Sequence, residues 1–158
     1  MTDIDDRLLR RTVTIARQSR ESGNHPFGAL LATSTGEVVF EAQNTVETGK
    51  DATGHAETNL ARMASGRYTP AELATMTMYT SAEPCAMCSG AVYWAGIGTV
   101  VYALSEADLA VITGADEQNP TMALPCREVF AAGQRPTVVR GPVPLSEAAE
   151  VHEGFWNN

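Results

Sequence analysis

Short apolar runs that resemble β-strands alternate with helical patterns of about ten residues along most of this 158-residue chain. This alternation is typical of an α/β sheet covered by helices on both faces, and we predict that fold class. The region 105–125 has poor periodicity and is expected to be a loop with at most a short helix. The predicted strands are 28–34, 37–44, 76–82, 98–104 and 137–141. The predicted helices are 4–20, 55–65, 85–96 and 144–156.

The length and composition are those of one domain, because 44% of the residues are hydrophobic and no linker composition interrupts the chain. The opening residues MTDIDD are acidic, unlike a secretory signal, and no apolar run approaches the roughly 18 residues of a membrane span. We therefore expect a cytoplasmic protein with no membrane partner. The odd number of cysteines, three, argues against a disulfide framework.

The charge distribution disfavours a nucleic-acid partner. The net charge is −8. Beyond position 70 the sequence contains ten acidic residues but only three arginines and no lysine; the arginines are Arg127, Arg135 and Arg140. Proteins that bind nucleic acid neutralise phosphates with basic side chains, and this sequence offers no basic stripe. A small-molecule partner is the better expectation.

The sequence SAEPCAMC at 81–88 places Cys85 and Cys88 at the predicted start of a helix, directly after a strand and Pro84. Unpaired N–H groups and the helix dipole favour the thiolate there, so both cysteines are expected to ionise early. The pair alone fits a redox dithiol, half of a zinc site or a coincidence in a helix rich in small residues.

His55 and Glu57 stand at the start of another predicted helix, in the sequence HAE. One imidazole and two thiolates make three zinc ligands, and a fourth position left to water is the arrangement of a catalytic site. Glu57 lies about 200° around the helix from His55 and could move protons without binding the metal. Cys126 is a further thiol that could in principle be a fourth zinc ligand, but we expect it to be a small buried residue.

The combination of HAE at 55–57 with PCAMC at 84–88 resembles the zinc-dependent cytidine and deoxycytidylate deaminase family. The similarity extends from about Asn24 to Leu104. Within it, PFGA at 26–29 and YWA at 93–95 are most similar to bacterial guanine deaminases. The resemblance implies a three-layer α/β/α sandwich with a mixed five-stranded sheet, and a single deaminase domain spanning 1–158.

The resemblance also implies roles for individual residues. One Zn²⁺ per chain would bind to His55, Cys85 and Cys88, with Glu57 as the catalytic proton shuttle. Asn44 would bind the substrate through its side chain, and Ala56 through its backbone N–H.

Further substrate contacts are expected from residues around the pocket. Phe27 and Trp94 could each pack against a flat substrate ring, although aromatic residues beside strands and helices as often belong to the hydrophobic core. Asp116 and Glu117 lie where guanine deaminases are expected to place an acidic substrate-binding residue, and a solvated loop charge is an equal alternative. His25 is expected near the mouth of the pocket.

The C-terminal segment 145–158 is a candidate lid, in which Phe155 and Trp156 would cover the pocket of the same subunit or of a neighbour in a homodimer. Simple packing of the last helix is the alternative. A lid would exclude water from the reacting ring.

These observations predict a zinc-dependent hydrolytic deaminase of a free nucleobase. A guanine-like purine is the first expectation and a cytosine-like or aminotriazine ring the second. The alternatives are a tRNA adenosine deaminase or a nucleoside deaminase and, from other classes, a C-x-x-C dithiol oxidoreductase or a structural zinc module.

Overall fold

The structure, a computed structural model, describes residues 2–156 of the chain. Among these residues no helix combines the length and the apolar character that a membrane span requires. The strands are β1 (Gly28–Ala32), β2 (Val38–Gln43), β3 (Thr77–Ala82), β4 (Thr99–Leu104) and β5 (Val138–Arg140). The helices are α1 (Asp3–Glu21), α2 (Val46–Gly49), α3 (Ala56–Ser65), α4 (Pro70–Leu73), α5 (Ala86–Ala95), α6 (Glu106–Thr113), α7 (Cys126–Ala131) and α8 (Ser146–Glu150).

The five strands form one mixed sheet in the order β2-β1-β3-β4-β5. Strand β1 pairs antiparallel with both β2 and β3, and the pairs β3–β4 and β4–β5 are parallel. The hairpin predicted for 28–44 and the mixed five-stranded sheet are therefore confirmed. Because β3 and β4 are parallel, their carboxyl ends meet at the same edge of the sheet, where ligands bind in many α/β folds.

Two apolar layers cover the two faces of the sheet. Leu30 belongs to the cluster formed with α1 and α8, and its neighbour Leu31 belongs to the cluster formed with α3, α5 and α7. Successive residues of a strand point to opposite faces, so a strand buried on both sides reads as the continuous apolar run GALLA. Gly28 begins this strand because a Cβ there would overlap the backbone of α1. The predicted three-layer α/β/α sandwich is confirmed.

The prediction differs from the structure mainly in the last third of the chain. The region 105–125 contains one short helix, α6, as the prediction allowed, and is otherwise irregular. Helix α7, which begins directly after this region, was not predicted. The last helix was predicted over 144–156, but only Ser146–Glu150 is helical and turns continue to Trp156. Gly154, with φ of 70°, adopts the left-handed conformation that ends regular helix. The predicted lid 145–158 is described only as far as Trp156.

Candidate active site

The three predicted zinc ligands lie together in the structure. Nδ1 of His55 is 3.7 Å from Sγ of Cys85 and 3.4 Å from Sγ of Cys88. The three ligand atoms all lie within 4.8 Å of one another. Bond lengths of 2.0–2.3 Å around a tetrahedral zinc imply nitrogen-to-sulfur separations of about 3.5 Å. The donor types and their spacing therefore fit a zinc ion with three protein ligands.

Two helix starts bring these ligands together. His55 is the residue before α3 and Cys85 the residue before α5, and both have extended backbone conformations. The sulfur of Cys85 accepts a hydrogen bond from the backbone N–H of Cys88 at 3.5 Å. Cys88 is fully buried in the first turn of α5. A capping hydrogen bond therefore holds the sulfur of Cys85, and the first turn of α5 holds that of Cys88.

The ionisation states of the two thiols differ in this arrangement. The hydrogen bond from Cys88 and the neighbouring His55 lower the pKa of Cys85 to about 4, although burial opposes this. The hydrogen bond to Cys85, followed by burial, raises the pKa of Cys88 well above its usual range. The expectation that both thiols ionise early is thus wrong for Cys88, because a proton shared between two thiols stays on the more buried one. A metal ion that binds both sulfurs must displace that proton.

Glu57 lies beside the ligand cluster in the first turn of α3. Its side chain is only 5% exposed. Burial raises the pKa of the Glu57 carboxyl to about 7, and the positive charge of His55 opposes part of this rise. A carboxyl group with a pKa near 7 can both accept and release a proton near neutral pH, as a general acid and base requires.

A cavity of about 430 Å³ opens above the cluster, a volume within the usual range for small-molecule sites. His55, Glu57 and Cys85 form its base. The other residues that line it come from the chain around β1 and α2, from the end of β3, from α5 and α6, and from the segment after α6. They are His25, Phe27, Asn44, Val46, Ala52, Glu83, Met87, Glu106, Leu109, Glu117, Gln118, Asn119, Pro120, Thr121 and Met122.

Three of the predicted substrate contacts lie at or in this cavity. Asn44 is almost fully buried, and its Oδ1 accepts a hydrogen bond from the N–H of Val46 at 3.0 Å, so its NH₂ group is the part left to donate. The ring of Phe27 forms part of the wall. Glu117 is the third of them and also lines the cavity. Ala56 is fully buried between His55 and Glu57 in the first turn of α3 and is not among the residues that line the cavity. Their contacts with a substrate stay a prediction.

The structure does not bring Trp94 or Asp116 to the cavity. Trp94 is 81% exposed and lies on the outer face of α5 beside Thr58 and Arg62 of α3. Asp116 is buried, and its Oδ1 accepts a hydrogen bond from the N–H of Gln118 at 2.9 Å. The residues that follow Asp116 line the cavity instead, so its carboxylate shapes the turn that presents them.

The two C-terminal aromatic residues pack behind the cavity wall. The ring of Trp156 lies 5.3 Å from that of His25 and 6.1 Å from that of Phe27, measured between centroids. The ring of Phe155 contacts His25 at 5.9 Å. In this arrangement they pack against two wall residues of their own chain and do not line its cavity, as the alternative of simple packing predicts. That they cover the pocket of a neighbouring subunit stays a prediction.

The sequence reading missed two acidic residues that line the cavity, Glu83 and Glu106. Each follows the carboxyl end of a parallel strand, β3 and β4 respectively, and that position was the signal that could have identified them. Burial, followed by the charges of Cys85 and Glu83, raises the pKa of Glu106 to about 7. Of the wall formed by 117–122 the sequence identified only Glu117, and His25, expected near the pocket, is a buried residue of its lining.

Comparisons with known proteins agree with this geometry. Residues 2–104 match the model of the cytidine and deoxycytidylate deaminase zinc-binding region. A probable cytosine deaminase of Schizosaccharomyces pombe is 36% identical over 157 residues, which cover 99% of this chain and 95% of that protein. A guanine deaminase of Bacillus subtilis is 40% identical over 104 residues, 65% of this chain and 66% of that protein.

Solved structures agree on the fold. A guanine deaminase of Nitrosomonas europaea superimposes with a TM-score of 0.72 at 23% identity, over 92% of this chain and 80% of that one. Several bacterial tRNA-specific adenosine deaminases are also similar in sequence, at lower identity than the two relatives above.

The layered fold and the ligand cluster define a zinc-binding enzyme domain. The chain belongs to the cytidine and deoxycytidylate deaminase family. The predicted enzyme class, a hydrolytic deaminase with a zinc cofactor, is confirmed at the level of this family.

Proposed function

We propose that the chain deaminates free nucleobases, with a guanine-like purine as the first candidate and a cytosine-like or aminotriazine ring as the second. The observation that carries this proposal is the cavity of about 430 Å³, which places Glu57 and the ligand cluster beneath a wall that contains Phe27 and Asn44. The similarity to a guanine deaminase and to a probable cytosine deaminase supports both kinds of ring as candidate substrates.

The charges around the cavity favour an uncharged ring over a nucleotide. Four glutamates line it, Glu57, Glu83, Glu106 and Glu117, and its lining contains no lysine or arginine. A substrate phosphate is normally bound by basic side chains or by N–H groups at a helix start. A neutral heterocycle that offers N–H groups to carboxylates fits this lining better.

The reaction requires a water to add to a ring carbon that bears an amino group, and ammonia to leave. A zinc ion bound to His55, Cys85 and Cys88 would supply a Lewis acid that lowers the pKa of a water to about 7. A carboxylate oxygen of Glu57 would accept one proton of that water and deliver it to the ring nitrogen as the water oxygen adds to the ring carbon. Glu57 would then carry the second proton, from the new C–OH group, to the amine, so that ammonia leaves as the C–N bond breaks and the ring keeps a carbonyl group. Phe27 and Asn44 would hold the ring over this carboxylate.

The experiment is a panel assay of ammonia release by the zinc-loaded protein with guanine, isoguanine, cytosine, an aminotriazine, guanosine, cytidine and adenosine. Turnover of a free base, well above that of its nucleoside, is expected. Preferential turnover of nucleosides, or no ammonia from any member of the panel, would contradict the proposal.

Editing of tRNA is the alternative function within the family. The tRNA-specific adenosine deaminases among the relatives support it. Beyond position 70 the chain has ten acidic residues and three arginines, so this part of the chain should repel the phosphates of a tRNA. A gel-shift titration at physiological salt should detect only weak, non-specific tRNA binding. Submicromolar affinity together with conversion of an anticodon base would favour editing.

The alternatives from other classes explain fewer of the observed contacts. A dithiol oxidoreductase would not need His55 against both sulfurs or the buried Glu57 beside them. A structural zinc module needs a fourth protein ligand, and among residues 2–156 the only such cluster has three. Metal analysis and the ammonia assay separate all three possibilities.

A homodimer, predicted from the family resemblance, is part of this proposal. Met63, Met87 and Trp94 leave large apolar side chains exposed on or near the outer faces of α3 and α5, by 41%, 38% and 81% respectively. Such a surface favours burial against a second copy. Light scattering after chromatography should give a dimer for the parent and a monomer for Trp94→Glu, and a monomeric parent would contradict it. The cytoplasmic location also stays a prediction.

A further inference from the structure

The carboxylate of Glu83 joins the starts of two different helices. Oε1 accepts a hydrogen bond from the backbone N–H of Glu106, the first residue of α6, at 2.9 Å. Oε2 accepts one from the backbone N–H of Cys126, the first residue of α7, at 2.8 Å. The side chain of Glu83 is only 7% exposed. It stands two positions before the ligand Cys85, so it links these helices to the metal cluster.

The two N–H groups mark the ends of one segment, residues 106–126. The middle of this segment, 117–122, forms the outer wall of the cavity. The wall is attached once more near its centre, because Nε2 of His25 lies 3.3 Å from Oε1 of Gln118. The family model ends at residue 104, so the wall lies outside the part of the chain that this model covers.

We propose that Glu83 is a positioning residue for substrate binding, which sets the outer wall of the cavity relative to the metal cluster by holding both ends of 106–126. It acts through the backbone of α6 and α7, not through contact with the reacting atoms. The kinetic part of this inference rests on the proposed deaminase function. The structural part, that Glu83 binds both ends of residues 106–126, does not depend on that function.

A carboxylate suits this position for a physical reason. It has two oxygens that accept hydrogen bonds, and its negative charge is stabilised by the positive ends of two helices. Glutamine at position 83 would retain one acceptor and turn an NH₂ group toward the other N–H donor, so one end of the segment would be released. Because the wall binds the substrate without touching the reacting atoms, its displacement should weaken binding and leave the chemical step nearly unchanged.

The variant that tests this is Glu83→Gln, with Ser105→Ala as its matched control. Ser105 also caps α6, through a hydrogen bond from the N–H of Asp108 at 3.1 Å, but it does not connect α6 to the metal cluster. For Glu83→Gln we expect full zinc content, a KM raised about tenfold or more, and a kcat changed by less than about threefold. Ser105→Ala should leave KM near the parent value. A KM within twofold of the parent in Glu83→Gln, or an equal rise in both variants, would overturn the proposal.

Hydrogen exchange on the unmodified zinc-loaded protein tests the attachment without any variant. The amide hydrogens of Glu106 and Cys126 should exchange about a hundredfold more slowly than those of Thr121 and Met122 in the wall, because they are bonded to a buried carboxylate. Equal exchange rates would overturn the proposal even if Glu83→Gln failed to fold. If no base is deaminated but both amides are protected, the proposed function fails and the attachment stands.

Discussion

Nδ1 of His55 lies 3.4 Å from Sγ of Cys88, although the two residues are 33 positions apart in the sequence. The contact joins the starts of α3 and α5 at the base of the cavity. Because the two sulfurs and this nitrogen have the spacing of zinc ligands, the metal should connect the starts of these two helices.

Removal of one ligand should therefore remove the metal. We expect about one zinc per chain in the parent and little zinc in Cys88→Ser, because two ligands bind zinc far more weakly than three. Cys126→Ala is the control: Cys126 is buried in α7 and is not part of the cluster, so this variant should keep its zinc. Elemental analysis of the purified proteins measures both. Full activity of a parent with less than about a tenth of an equivalent of metal would refute a zinc site.

Glu57→Gln should keep zinc and fold but lose turnover. An amide cannot carry the proton, and loss of a general acid and base typically reduces kcat by about 10² to 10⁴-fold. Glu128→Gln, which changes an exposed carboxylate on α7, should behave like the parent. Ammonia release is measured beside metal content for each protein. If Glu57→Gln stays within tenfold of the parent, the proton shuttle is a different group.

Trp156 should matter for both stability and substrate binding. Its Nε1 donates a hydrogen bond to Nδ1 of His152 at 3.0 Å, and its ring contacts His25 and Phe27 in the cavity wall. Trp156→Ala should lower the free energy of unfolding by about 3 kcal/mol and raise KM, since both wall residues lose support. Trp156→Phe keeps the ring contacts and should give a smaller loss. If stability and KM are unchanged in Trp156→Ala, and also after deletion of residues 153–158, the C-terminal segment contributes to neither property.

The salt bridge between Asp5 and Arg140 should stabilise the fold far more than its exposed counterparts. Asp5 is 1% exposed, and its carboxylate also accepts a hydrogen bond from the hydroxyl of Tyr79 at 2.7 Å. Burial alone would raise the pKa of Asp5, but the hydrogen bonds from Arg140 and Tyr79 outweigh it and lower the pKa. Arg140→Met should cost about 2 kcal/mol, because it removes two N–H donors and the opposite charge from a buried carboxylate. The loss is smaller than for a fully buried pair, since the side chain of Arg140 is 44% exposed.

Arg11→Met is the control for Arg140→Met. It breaks a bridge to Glu41 whose side chains are 40% and 35% exposed, and it should change stability by less than about 1 kcal/mol. Urea unfolding of the three proteins gives the comparison. Equal losses in both variants would mean that the burial of Asp5 does not matter.

The metal cluster could be predicted from the sequence because its chemistry is local. His55, Cys85 and Cys88 stand at helix starts, and their residue types restrict the chemistry before any tertiary contact is known. The same is true of the sheet, because alternating strands and helices leave few arrangements.

The outer wall and the surface aromatic residue could not be predicted in this way. Residues 117–122 have no periodicity, and their position depends on the attachment of 106–126 through Glu83. Trp94 lies about 240° around α5 from Cys88, at 100° per residue, and so faces away from the cavity. Helix α5 is apolar on most sides, so composition alone did not reveal which face points outward.

Acid should destabilise the protein through His152, a buried histidine. Burial, and to a smaller extent the charge of Arg20, lowers the pKa of His152 to about 4. The ring is 1% exposed and stacks on Trp156, and its Nε2 has no hydrogen-bond partner among the described residues. In the unfolded chain a histidine has a pKa of about 6.5. The unfolded state therefore binds more protons than the native state between about pH 6.5 and 4.

Stability should consequently be complete above about pH 6.5 and fall as the pH approaches 4, by up to about 3 kcal/mol from this group alone. His152→Gln removes the titration while leaving an oxygen that can accept the hydrogen bond from Trp156. Thermal midpoints of the parent and the variant are measured between pH 7.5 and 4.5. Zinc release at low pH, and the titration of His25, whose pKa burial also lowers, contribute equally to both proteins. The variant should lose less stability with acid than the parent, and parallel curves would show that His152 does not control the acid response.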